Sequence, residues 1–272
     1  MAVIANKPSS QDAEKTLMTR LMYPLDKDGA PTAPWPLAIT GTFILGMALL
    51  AYRIYQETHS FTVGLDYFEP EFQVYWMSLF YVQMTVIPLV GAAIVAWLWV
   101  SRDVNVRETC TAEQELSHYM FLFALLSVAS LFVVTALTIF TEADAAWHQV
   151  TIRDTDFTPT HIALFYGIIP LLAVGMVVAF VWVHTRLPHF SNRVSVPLAI
   201  AVSAPLLIMP NLGYNEWGHT FFYAEELFAA PVHYGFVVLG WGLFGIAGFI
   251  IQCIQRVVVL TKVAPQDNQA TS

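Results

Sequence analysis

The sequence predicts an all-α, polytopic membrane protein of about six transmembrane helices with both termini cytoplasmic. Three observations carry that reading. Of 272 residues, 57% are hydrophobic and only 12% are charged, against roughly 25% charge in a soluble domain. Six apolar stretches are long enough, or nearly so, to cross ~30 Å of hydrocarbon. The basic residues alternate in abundance between successive connections, as the positive-inside rule requires. The same composition excludes disorder, and a net charge of -8 without a Lys/Arg cluster argues against nucleic-acid binding. Two cysteines, Cys110 and Cys253, form neither a CxxC pair nor a disulfide framework.

Residues 1–34 are polar, hold Lys7, Lys15, Arg20 and Lys27, and lack the apolar core and cleavage site of a signal peptide. They are expected to form a cytoplasmic arm. The spans are expected near Trp35–Tyr55, Val74–Val100, Tyr119–Phe140, Ile162–Val183, Val194–Met209 and Pro231–Ile254. Together they make a membrane domain over residues 35–254, and 255–272 follow as a cytoplasmic tail. The fifth span is short and holds Pro197 and Pro205, with Pro210 just beyond it. Proline inside a membrane helix frees carbonyls that neighbours must satisfy, so this span is expected to be kinked, with its end buried in protein. Ten of the twelve Lys/Arg residues fall on the side of the termini, and eleven of the twenty acids fall on the other. The outer connections Phe61–Gln73, Thr141–Thr160 and Asn211–Ala230 mix aromatics with acids, and histidines join them in the last two. Ionisable groups at membrane depth are expensive and are functional candidates.

Two histidine patterns stand there. Asp144 precedes His148 by four residues, and His161 follows thirteen later; Asn215 precedes His219 by four, and His233 follows fourteen later. Helical positions i and i+4 share a face, so each oxygen donor can point with its histidine at one ion. Each third ligand would come from the start of the next span. Thr158-Pro159 reads as an N-cap followed by proline at the first helical position, which puts His161 in the first turn of span four. The positive end of a helix disfavours a charged imidazole, and a metal ligand must be neutral. Asp144 offsets part of a cation's charge, whereas Asn215 does not. An ordinary structural reading competes: Asp144 can cap a helix or hydrogen-bond His148, Asn215 can be a turn residue, and His161 and His233 can sit at the membrane boundary, as His184 and His189 are read to do. Haem between histidines thirteen or fourteen apart is disfavoured, because Pro159 and Pro231 interrupt the intervals. The ligand types suit non-haem iron, copper or zinc alike. The absence of cysteine argues against a closed structural zinc site or a blue-copper centre.

At these residues the chain resembles the C subunit of the copper membrane monooxygenases, the superfamily of particulate methane monooxygenase, ammonia monooxygenase and short-chain alkane members. The resemblance lies in Glu142–His161 (EADAAWHQVTIRDTDFTPTH), Thr185–Pro188 (TRLP) and Ile208–Gly242 (IMPNLGYNEWGHTFFYAEELFAAPVHYGFVVLGWG), with Tyr67–Phe72 (YFEPEF) and Trp76–Met77 similar too. These cover about a third of the chain; the N-terminal arm, first span and third span show no clear match. The resemblance implies that Asp144, His148 and His161 form one copper site and Asn215, His219 and His233 a neighbouring one, catalytic residues as well as ligands, with one or two copper ions in this polypeptide and no haem. It implies A and B partner subunits in a trimer of heterotrimers, O2 and a small apolar substrate, a reductant such as membrane quinol, and a bacterial cytoplasmic or intracytoplasmic membrane with the metal sites toward the periplasmic side. Trp147, Glu216, Trp217, Glu225 and Glu226 are candidates for orienting the ligands or delivering protons. No residue separates methane from ammonia or a short-chain alkane; Thr160, where methane and ammonia oxidisers often carry serine, tilts the reading toward an alkane. Two other classes stay open: a scaffold or metal-handling subunit of the same kind of complex, and a transporter. The transporter is disfavoured because the middles of the spans carry almost no ionisable residues.

Overall fold

The computed structural model describes residue 17 and residues 19–150, 157–217 and 225–267, with the backbone alone at 141, 144–150, 208–217, 225–237, 239 and 263–267. Within them the chain forms six long helices, and the β structure among the described residues is an isolated bridge between Leu25 and Pro31. We number them α1 Trp35–Val63, α2 Pro70–Val100, α3 Ala112–Val150, α4 Pro159–Arg186, α5 Val196–Trp217 and α6 Glu225–Asp267. Five contain apolar segments long enough to span a membrane; the described apolar part of α5, Val196–Leu207, is shorter. The exposed face is apolar, with Phe43, Trp97, Trp241 and Phe244 all at least 64% accessible. That is the surface of an integral membrane protein, since water would not tolerate apolar patches of this extent.

Punctuation in the sequence sets several boundaries. Proline occupies the first turn of α1, α2 and α4, where its missing N–H would have no intrahelical partner anyway. Gly64 ends α1. The helices nevertheless run past the expected spans, because hydropathy marks only the part in lipid. α3 begins seven residues before Tyr119 and continues ten beyond Phe140. α6 begins at Glu225 and runs through Arg256 and Lys262, so much of the expected tail is helix. α5 passes through Pro205 and Pro210 as one assigned helix.

Two packing devices position the elements. Along α6, Gly242, Gly245 and Gly248 form a small-residue stripe facing Ala204 and Pro197 of α5. A Cβ on Gly245 would lie 2.7 Å from the Pro197 carbonyl oxygen, so only glycine permits this close approach. On the other side, the core divides by depth. Tyr119, Leu122, Val183, Leu187, Phe190, Leu198, Phe249, Cys253 and Leu260 join α3, α4, α5 and α6 at the end carrying Arg186, Arg193 and Arg256. Leu49, Ala136, Phe140, Ala163, Leu164 and Ile168 join α1, α3 and α4 toward the opposite end, and Phe72, Trp76, Met77 and Ile162 join α2 to α4 there.

The arginine end agrees with the segregation of basic residues. Arg186 donates to Ser101 Oγ at 2.5 Å, and Arg102 lies over Trp99. The described part of the N-terminal arm reaches the same end, where Tyr23 packs edge-on against His118 at 5.0 Å.

Candidate metal centre

His161 is the one residue of the two predicted triads whose side chain is described. It sits where the sequence places it, in the first turn of α4. Thr158 is extended, with ψ 152°, and its hydroxyl accepts the His161 backbone N–H at 3.2 Å. Pro159 follows at the first position of the helix. This N-cap ties the histidine's own backbone, so the orientation of the residue is fixed from the main chain outward. Pro159, Thr160, His161, Ile162 and Ala163 are all buried, and His161 is 2% exposed.

The wall around that turn is aromatic. Phe165 lies 4.9 Å from the His161 ring. Phe157 stacks on Tyr67 at 5.7 Å and on Tyr166 at 5.8 Å, and meets Phe80 edge-on at 5.2 Å. Trp76, fully buried, touches Tyr55 and packs with Ile162. Two π-helical turns shape this wall: Gln73–Met77 in α2 and Leu164–Ile168 in α4. A π-turn inserts an extra residue and re-aims the side chains after it; such turns occur disproportionately at functional sites. The first buries Trp76 and Met77 against Ile162, and the second begins three residues after His161.

Polar groups at several depths brace α1 and α2 beside it. Gln83 Nε2 donates to Tyr52 Oη at 2.9 Å, Tyr55 Oη donates to the Tyr75 carbonyl at 2.9 Å, and Ser60 donates to the Gln56 carbonyl. Gly64 closes the corner: a Cβ there would lie 2.7 Å from Pro159 Cγ and 2.5 Å from the Ser60 carbonyl oxygen. Sequence reasoning does not single these residues out. Gln56 and Ser60 bound the polar run 56–60, which reads as a solvated helix end, whereas Gln83 is an isolated polar position in an apolar stretch, where the available signal is that a polar residue in lipid needs a partner.

The remaining site residues are located by backbone alone or not at all. Asp144, Trp147 and His148 lie on the continuous C-terminal part of α3, so Asp144 and His148 share a helical face as their spacing predicts. That helix packs on the His161 turn through Phe140 and Ala163. Asn215, Glu216 and Trp217 end α5, and Glu225, Glu226 and His233 lie in the first turns of α6. The side chains of these residues, and His219 altogether, lie outside the described residues. Among the described residues no group of three His, Cys, Asp or Glu side chains gathers as a metal site. The donor chemistry at His161 suits iron, copper or zinc alike: a buried, backbone-anchored imidazole beside a helix with Asp144 and His148 on a common face.

The other described histidines have structural partners. His184 contacts the Phe180 carbonyl through Nδ1 at 2.7 Å and accepts the Ser195 N–H through Nε2. His59 lies between Tyr55 and Tyr75, each at 4.7 Å. His189 contacts the Arg193 guanidinium; its pKa is lowered, first by burial and then by the charges of Arg193 and Arg256.

Compared with known families, residues 35–264 match the family model that describes the C subunit of ammonia monooxygenase/methane monooxygenase. No curated protein matches the chain.

Proposed function

Because the chain belongs to the family of ammonia and methane monooxygenase C subunits, we propose that it is the integral membrane component holding copper for hydroxylation of a small inert substrate by O2. The observation that carries the reading is the meeting of two elements. The face of α3 bearing Asp144 and His148 continues from the segment that packs on the N-capped turn of buried His161.

In this reading Asp144, His148 and His161 hold one copper ion, and Asn215, His219 and His233 hold or exchange a second. Copper with open coordination positions supplies, when bound, the redox change that lets O2 attack a strong C–H or N–H bond. The chain does the rest. Thr158 fixes the His161 main chain. The Asp144 carboxylate offsets cationic charge where low dielectric makes an uncompensated ion costly. Tyr67, Trp76, Phe157 and Tyr166 keep water away from His161. Trp147, Glu216, Trp217, Glu225 and Glu226 orient ligands or move protons. A and B subunits, in a trimer of heterotrimers, complete the enzyme, with quinol as reductant. The sites face the periplasm, with residues 1–34 and 255–272 on the cytoplasmic side of a bacterial cytoplasmic or intracytoplasmic membrane. The substrate is a short-chain alkane, methane or ammonia, and the Thr160 signature favours the first.

The test is elemental analysis and copper EPR of the purified complex, comparing wild type with Asp144→Ala, His161→Ala and Asn215→Ala. We expect each variant to assemble, with D144A and H161A losing one copper signal together with at least about a hundredfold of turnover, the scale of a lost catalytic contact. Full copper and full turnover in assembled H161A would make this chain a scaffold instead. Oxidation rates for ethane, methane and ammonia on one preparation identify the substrate.

A further inference from the structure

At the opposite end of the bundle, three arginines line one hollow. Arg107, from the connection before α3, Arg193, from the connection before α5, and Arg256 of α6 line a cavity of about 430 Å³ together with His189 and Asn192. It adjoins a second hollow of about 500 Å³ that shares His189, Arg193 and Arg256 and extends between Val194, Val196, Gln252 and Val259. The charges are unequally satisfied. Arg256 is paired with Glu115, Nε to Oε1 at 2.9 Å and Nη2 to Oε2 at 2.6 Å. Arg107 and Arg193 have no carboxylate partner among the described residues. Arg193 donates to the neutral His189 carbonyl and contacts its ring, so three arginines lining one hollow with one carboxylate leave an excess of positive charge that calls for an anion.

The second hollow indicates which kind. Val194, Val196 and Val259 are 61%, 65% and 48% exposed, so the polar cavity opens onto bare apolar surface. Gln252 and Ser195 line that second hollow with the valines, Ser195 Oγ donating to Gln252 Oε1 at 2.7 Å. A basic hollow joined to one lined by polar side chains and exposed valines has the chemistry of a phosphodiester headgroup followed by ester carbonyls and acyl chains. The pocket also lies at the arginine end, the depth at which an anionic leaflet places its headgroups. A free phosphate would use the arginines and leave the slot empty. We propose that Arg107, Arg193 and Arg256 form a binding site for the phosphate of an anionic phospholipid, whose chains lie along Val194, Val196 and Val259.

The experiment uses the purified complex in nanodiscs of phosphatidylcholine with or without phosphatidylglycerol, reading retained phosphatidylglycerol by lipid extraction and mass spectrometry. Wild type should retain it through exchange into phosphatidylcholine discs. Arg107→Gln with Arg193→Gln should weaken retention about 25-fold, at roughly fivefold for each cation removed near the membrane surface. Arg107→Lys with Arg193→Lys should keep most of it. Arg102→Gln, at the same end but against Trp99, should behave as wild type. Equal retention in the Gln pair and in R102Q would overturn the proposal. Displacement of the lipid by millimolar inorganic phosphate would overturn it in favour of a soluble-anion site. Loss of another subunit from the Gln pair with lipid retention unchanged would overturn it in favour of a protein contact.

Discussion

The two ends of this bundle solve the same problem in opposite ways. At the His161 end, the contacts that brace the wall join neutral groups: a hydroxyl cap on a backbone N–H, an amide on a phenol, a phenol on a carbonyl, while the Arg53–Glu57 pair of α1 is partly exposed. Aromatic rings fill the remaining space. At the arginine end the order comes from formal charge: Glu115 clasps Arg256 across 141 residues of sequence, and Arg186 reaches back to the Leu98 carbonyl and Ser101. The difference teaches where each device is tolerable. A guanidinium near headgroups keeps part of its hydration, whereas one beside a buried ligand would raise the local potential and oppose a cation.

The contrast is sharpest at Glu115. Its carboxylate is 3% exposed and its partner Arg256 29%. Glu115→Ala strands the guanidinium and should destabilise the complex by about 2–3 kcal/mol, less than the loss for a fully buried pair. Thermal unfolding of the complex measures it, with copper content unchanged. Gly64→Ala tests the neutral end. The new methyl meets Pro159 and the Ser60 carbonyl, an overpacking cost of about 1–3 kcal/mol. Copper EPR should change here, because the displaced turn carries His161; an unchanged spectrum with lowered stability would separate the packing from the site.

Thr158→Ala removes the cap and the hydroxyl's contact with Thr160 Oγ1 at 3.2 Å. A loss of about 1 kcal/mol is expected, restored by Thr158→Ser, together with weakened copper retention on titration with a chelator. The smallest effect is electrostatic. His189, outside the spans, has its pKa lowered below 6.5 by burial and by Arg193 and Arg256. The unfolded chain therefore binds more protons than the native one in that range, so stability at the arginine end falls as pH drops through and below 6.5 and is kept above it. A shallow decline in melting temperature between about pH 7.5 and 5.5, flattened in His189→Gln, is the expected result.

The helical framework around the candidate site is legible in the sequence because its signals are local. Thr158-Pro159 announces an N-cap, and the cap appears with His161 in the first turn as its position requires. Asp144 and His148 four apart on a helical stretch need only a continuous α3, which is observed. Hydropathy locates the spans but not their ends, since helices persist into the headgroup region where composition turns polar. The Glu115–Arg256 pair escapes a hydropathy reading for that reason: Glu115 falls before the expected third span and Arg256 beyond the expected sixth. The π-turns are equally invisible, because an extra residue in a helical turn leaves the apolar pattern almost unchanged over so short a stretch.

The sequence by itself determined the membrane, the helical class, the sidedness of the basic residues and the chemistry of the candidate ligands. All follow from transfer energies and from spacings along the chain. Only the tertiary structure decided which helices meet: Gly64 against Pro159, the α6 glycine stripe against Pro197, and three arginines from three segments around one hollow. Those contacts join residues distant in the chain, and they depend on close packing and shape rather than on any property a residue carries alone.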